Sequence, residues 1–254
     1  MTFERTPPAP EPAPTPGIAH QADAAGSGAA GGGPMSVQIR LQILSTEHWS
    51  LLASRGLAWN ESFSRAGMFL STLSGSIVAL GLIGSVDGFH DAFFVAALVV
   101  LPVDLFVGIG TWLRMGATNY HDAIAVAGMN RIRAGYLEIA PDLEPYFVMG
   151  THDDAPGIGI TMAVPPGTAP FVHLVAGTPT LVMVLNGVIA GAIAALVLVR
   201  FSPIGSVAIV AAALAVAMLL IGTEFRVARR NIQRGQRALQ PMFPTPDPVV
   251  SHER

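Results

Sequence analysis

The chain has 254 residues, of which 51% are apolar and only 12% charged, with a formal net charge of −3 and a mean hydropathy of +0.53. Soluble domains carry about 25% charged residues, so this balance argues against a soluble protein. The absence of cysteine excludes disulfides, zinc–thiolate sites and iron–sulfur clusters, and every basic residue other than histidine is arginine.

The first 34 residues are Pro, Ala, Gly, Thr and Ser with few large apolar groups. Such a segment cannot bury enough surface to offset its ordering entropy, and residues 1–35 are expected to be a disordered tail. It lacks the basic start and apolar centre of a signal peptide. Residues 36–44 then alternate. Val37, Ile39, Leu41 and Ile43 fall on one side and Gln38, Arg40 and Gln42 on the other, a period of two that predicts a strand. The run Ile158 to Val164 reads similarly, and the two are expected to pair as a small two-stranded β element.

Ser45 has the chemistry of a helix cap, with Glu47 in the first turn. Trp49, Leu52, Gly56, Trp59 and Phe63 follow at spacings of three and four and continue into Gly67 and Leu70. One long amphipathic helix is therefore predicted, cytoplasmic at its start and membrane-spanning at its end, with Glu61 and Arg65 placed to pair. A hydrocarbon core about 30 Å thick needs about 20 apolar helical residues. The stretches Ala66–Val86, Ala92–Leu113, Pro179–Val199 and Pro203–Thr223 qualify. Thr178 is expected to cap the third, with Pro179 at its first helical position, and Pro203 to open the fourth. A separate helix is predicted over Asn119–Ala140, ended by Pro141, and a basic helix over Glu224–Leu239 that continues the fourth span before a disordered tail.

Arginine distribution orients the spans. Arg40, Arg55 and Arg65 precede the first, Arg114, Arg131 and Arg133 lie between the second and third, and the C-terminal segment holds Arg226, Arg229, Arg230, Arg234 and Arg237. The turns at Asp87–Asp91 and Arg200–Ser202 carry a single arginine. The positive-inside rule places both termini in the cytoplasm of a plasma-membrane protein. The C-terminal arginines can reach anionic lipid headgroups. The predicted fold class is an all-α membrane protein with four transmembrane helices arranged as two hairpins and extended by cytoplasmic helices.

Few polar residues fall inside the spans. Asp104 lies ten positions from Arg114, roughly 15 Å deep by helical rise. A carboxyl at that depth must be protonated, paired or wetted, and the neighbouring Pro102 invites a kink. Asn186 and Ser74 fall at similar depth, so the three are predicted to form an intramembrane polar cluster, as glue between helices or along an ion or proton path. Gly67, Ser71, Gly75 and Ala79 recur every fourth residue, and Gly187 and Gly191 form a GxxxG pair, both patterns that permit close helix approach and oligomerisation. His121, Asp122, His152, Asp153 and Asp154 gather potential metal ligands at a spacing that matches no metal motif, and His173 is expected at the interface. No GxSxG, HExxH or P-loop occurs, so no enzyme, cofactor or metal is expected. The only arginine cluster abuts a span, which leaves nucleic-acid binding unsupported. The expected partners are the lipid bilayer and copies of the same chain.

The stretch from Ser45 through Trp59-Asn60-Glu61 to Arg65, and Met129-Asn130-Arg131-Ile132-Arg133 with Tyr136-Leu137 and Pro145-Tyr146, resemble segments of small bacterial multi-pass integral membrane proteins with no assigned function. That resemblance implies membrane residence and brings no substrate or catalytic residue. The expected role is a non-enzymatic oligomeric scaffold or interaction protein, with an ion channel or proton-linked transporter using Asp104 as the alternative.

Overall fold

A computed structural model describes residues 35–163 and 177–246. These belong, apart from Met35, to the second of two units, residues 36–254. The expected disordered tail at residues 1–34, Val164, the interfacial run from Phe171 with His173, and residues 247–254 lie outside the described residues.

The elements are α1 (Val37–Asp87), α2 (Asp91–Ile139), a 3₁₀ turn (Pro141–Tyr146), α3 (Ala155–Thr161), α4 (Thr178–Phe201) and α5 (Ser206–Ala238). No strand occurs among the described residues, so the β element is corrected. Residues 37–44 open α1, and residues 158–161 belong to α3. The physical reason is cooperativity: once Ser36 caps the helix by accepting from the Ile39 N–H, each further residue adds a backbone hydrogen bond. A short period-two pattern cannot compete with a helix of 51 residues. Ser45 and Glu47 are therefore interior, not a cap and its first turn.

The amphipathic pattern of α1 has the right period and the wrong phase. Trp49, Leu52, Phe63 and Leu70 are exposed. The buried stripe is instead Ser62, Ala66, Phe69, Leu73, Leu80 and Gly84. Apolar residues surround this helix, so periodicity alone does not select the packed face. α1 ends where Gly88 adopts φ +65° and its N–H bonds back to Gly84 O.

α2 runs without a break through Pro102 and through the boundary expected before Asn119, so its second half is an extension and not a separate helix. Pro141 opens the 3₁₀ turn that follows. α4 starts at Thr178 with Gly177 as the cap residue, one position earlier than expected. α5 starts at Ser206 after Gly205, so Pro203 precedes the helix. The basic segment continues α5 as expected, to Ala238.

α1 packs on α2, α4 on α5, and α2 also packs on α4. The shared core holds Phe69, Leu73, Trp112, Met115, Val182, Met183 and Ile189. Gly187 and Gly191 turn toward α5: a Cβ on Gly187 would fall 2.5 Å from Ile221, and one on Gly191 would fall 2.9 Å from Ala213 O. That small-residue pair serves packing within the chain. Gly67 and Gly75 face outward, and a Cβ added at either would meet nothing within 4 Å.

Three ionic ties fix the helix pairs. Asp122 on α2 accepts from Arg55 Nε, from Arg55 Nη2 at 3.2 Å and from Trp59 Nε1 at 3.0 Å. Glu61 pairs with Arg65 at 3.0 Å, as expected, and with Arg114 across the helices at 2.8 Å. Arg200 at the end of α4 meets Asp91 at the start of α2 at 2.8 Å, which brings the two short turns to one end of the bundle. Asp122→Ala strips a buried acceptor from both Arg55 and Trp59. A loss of about 3 kcal/mol is expected. A red shift of tryptophan emission and a lower Tm in detergent check it; an unchanged Tm would show the tie to be incidental.

Among the described residues, four helices are long and apolar enough to cross a membrane. In the most apolar stretch of α5 no residue is buried within the chain.

Candidate functional site

α2 carries Asp104 on its packed face, where the residue is 1% exposed. One turn on, at a rise of about 6 Å, comes Gly108. Here α4 approaches so closely that a Cβ on Gly108 would fall 2.0 Å from Asn186 Oδ1 and 2.9 Å from the Phe69 ring. Asn186 is fully buried at 0% and its Nδ2 donates to Glu224 Oε1 on α5 at 3.0 Å. Glu224 itself is 5% exposed. Asp104, Asn186 and Glu224 thus project from α2, α4 and α5 into the interior of the bundle. Asp104 Oδ2, Asn186 Oδ1 and Glu224 Oε2 have no hydrogen-bond partner among the described residues.

Ser74 does not join them. It is exposed on α1. Its height along the bundle agrees with Asp104, but its azimuth does not. Glu224 is the member that sequence reasoning missed. Hydropathy ended the fourth span at Thr223, and Glu224 then read as the first residue of a solvated basic helix. The detectable signal was the apolar Phe225 after it, which prolongs the low-charge stretch by one position.

A second polar centre lies at the opposite end of α2 from Asp91. Asn130, fully buried, donates to His152 O at 2.7 Å and Gly157 O at 3.1 Å, and accepts from Arg133 Nη1 at 2.7 Å and Thr161 Oγ1 at 2.7 Å. Three of those bonds hold the segment after α2 back onto it, the fourth, from Arg133, lies within α2, and together they satisfy the amide's donors and acceptors. The folded segment presents two aspartates. Asp153 accepts from Arg131 Nε at 2.6 Å and from the Met242 and Phe243 backbone N–H groups, both at 2.8 Å. Asp154 caps α3 through Gly157 N and accepts from Thr245 N at 2.7 Å and Thr245 Oγ1 at 2.8 Å. Arg131 Nη2 also donates to Gln240 O at 3.0 Å. The chain beyond α5 is therefore clasped by the loop beyond α2. Residues 240–246, expected in a disordered tail, are fixed by these bonds.

Burial opposes ionisation of Asp153, but the N–H groups of Met242 and Phe243 and the Arg131 guanidinium outweigh it and hold its carboxyl below the ordinary 3.8. Asp154 is lowered in the same way: burial works against ionisation, and the hydrogen bonds from Thr245 and Gly157 overcome it.

His121 is exposed, and His152 uses its carbonyl toward Asn130. Among the described residues no three His, Cys, Asp or Glu side chains gather as a metal site. Arg226, Arg229, Arg230, Arg234 and Arg237 are all exposed along α5. A groove bordered by Arg131, Ala238, Leu239, Gln240 and Met242 is shallow and open.

Comparison with protein-family models, with curated protein sequences and with solved structures found no match.

Proposed function

We propose that this chain is a multi-pass plasma-membrane protein, both termini cytoplasmic, that works as a non-enzymatic scaffold by assembling with copies of itself. The carrying observation is the outward ridge of Gly67, Ser71, Gly75 and Ala79 on α1, exposed along its length. Ridges of small residues let helix backbones approach closely in lipid, where van der Waals packing drives association. Membrane insertion is supported by the exposed apolar surface of α5, including Val207, Val210, Leu214, Met218 and Leu219, which in water would be a large aggregation-prone patch. The two-hairpin topology is supported by the Asp91–Arg200 pair, which joins the two arginine-poor turns. The basic face of α5 suits anionic headgroups at the other end.

The test uses the natural absence of cysteine. Single cysteines at Gly88 and Ser202 are expected to react with an impermeant maleimide from the periplasmic side of intact cells, and cysteines at Asp142 and Gln236 only after lysis. Reaction of all four in intact cells would sink the topology. For assembly, Gly67→Leu with Gly75→Leu is expected to shift the detergent-solubilised protein from oligomer to monomer by light scattering. A monomeric wild type would end the scaffold reading.

A second reading, an ion channel or proton-linked transporter using Asp104, is favoured by the buried, unpartnered Asp104 Oδ2. Flux through reconstituted protein, compared with Asp104→Asn, tests it; equal flux in both rejects it.

A further inference from the structure

Four buried side-chain oxygens have no hydrogen-bond partner among the described residues: Ser62 Oγ, Asp104 Oδ2, Asn186 Oδ1 and Glu224 Oε2. Ser62 stands apart, seven residues and about 10 Å along α1 from Phe69, which marks the level of Gly108. The other three are linked through Asn186. Its amide nitrogen holds Glu224, and its carbonyl oxygen rests against Gly108, one turn from Asp104.

The donors and acceptors at this locus do not balance. Two carboxyls and an amide carbonyl supply acceptors, while among these three side chains the only donor is the Asn186 amide, one of whose two N–H groups is used on Glu224. No cation among the described residues answers the acids. On α1, Glu61 and Arg65 pair with each other, and Arg55 is held by Asp122. On α2, Arg114 is held by Glu61 and Asp91 by Arg200 of α4. On α5, Arg226 is exposed. Two uncompensated carboxylates inside a hydrocarbon-embedded bundle would each cost several kcal/mol. No group among the described residues supplies the compensating positive charge.

We propose that Asp104, Asn186 and Glu224 form an intramembrane cation site that joins α2, α4 and α5 and holds either an alkali-metal ion beside one protonated carboxyl or protons alone. Amide and carboxylate oxygens suit an alkali ion, and the same oxygens would share a proton between Glu224, Asn186 and Asp104. The site rests on α2, α4 and α5 standing in the bilayer, and not on self-association or on conduction.

Because the ligands come from three helices, occupancy stabilises the bundle by linkage. The experiment is thermal unfolding of the full-length protein in detergent, titrated with sodium, lithium or potassium against choline at constant ionic strength. In parallel, the carboxylic-acid C=O band is followed by infrared spectroscopy in choline across pH. An alkali ion at the site raises Tm in the wild type, and Asp104→Asn or Glu224→Gln weakens the apparent affinity at least about tenfold, the loss that even an outer-shell partner produces. A proton at the site gives an alkali-independent Tm together with a carboxylic-acid band near neutral pH that vanishes in the double variant. Glu61→Gln, which loosens the α1–α2 tie away from this site, leaves the alkali dependence of Tm and the carboxylic-acid band unchanged. An alkali-independent Tm without that band overturns the proposal. Should a variant fail to fold, the wild-type cation titration and spectrum still decide. Neither readout depends on oligomeric state or sidedness, so failure here is distinct from failure of the scaffold reading.

Discussion

Gly108→Ala is expected to lower the Tm of the solubilised protein substantially, while Gly110→Ala, two residues away, leaves it unchanged or raises it. Both changes add one methyl to the same helix, and both gain the intrinsic preference of Ala over Gly, about 1 kcal/mol. They differ in what the methyl meets. At Gly110 nothing lies within 4 Å, whereas at Gly108 the new carbon would sit 2.0 Å from Asn186 Oδ1 and 2.9 Å from Phe69. Neither neighbour can yield cheaply. Phe69 is fully buried, and Asn186 cannot swing away without breaking its bond to Glu224. Overpacking of this kind costs about 1–3 kcal/mol, and the lost amide–carboxyl bond adds about 1 kcal/mol or more. Thermal unfolding of the two variants side by side measures the difference. Equal Tm values would mean that α2 and α4 do not approach at this level.

The same contact shows what can be read from residues alone. Lengths and apolar runs located the four candidate spans, because a run of about 20 apolar residues has few other uses. The height of Asp104 and Asn186 was legible too, since rise per residue is fixed. Azimuth was not. Ser74 shares the height of Asp104 yet is exposed, and of the stripe from Trp49 to Leu70 only Trp59 reaches α2, while Trp49, Leu52, Phe63 and Leu70 are exposed. In a helix that is apolar on all sides, hydropathy carries little information about direction, and tertiary contact decides. Glu224 escaped for a related reason. A charge at the end of an apolar run reads as the edge of the membrane, and only the pairing register of α4 with α5 places it beside Asn186. The clasp at Asp153 escaped because its acceptors meet backbone N–H groups about 90 residues away, and such groups have no sequence signature. Asn130, Arg131 and Arg133 form the α2 side of the clasp.

Asp153→Ala is expected to free the segment after α5. The side chain is fully buried and takes donors from Arg131, Met242 and Phe243, so its removal leaves Arg131 Nε and two backbone amides without an acceptor, while Arg131 Nη2 keeps Gln240 O. Hydrogen bonds to a charged group are worth about 1.5–3 kcal/mol each, and losing the shared acceptor should cost about 3 kcal/mol locally. That corresponds to amide hydrogen exchange at Met242 and Phe243 about 100-fold faster than in the wild type at the same pH. The Asp104 region, at the far side of the bundle core, should exchange as before. The pH dependence has a defined sign. The folded-state value for Asp153 is depressed below 3.8, so its contribution is fully present above 3.8 and is lost as pH falls through the lower folded value. The neighbouring Asp154 is depressed in the same direction and reinforces the effect. The clasp should therefore hold unchanged from neutral pH down to ordinary carboxylate values and open only in stronger acid. Asp153→Ala should abolish most of that acid-dependent step when exchange is compared at matched pH. A wild-type clasp that opens near neutral pH would show that some group other than these aspartates controls it, and unchanged exchange in Asp153→Ala would show that the carboxylate does not hold the segment.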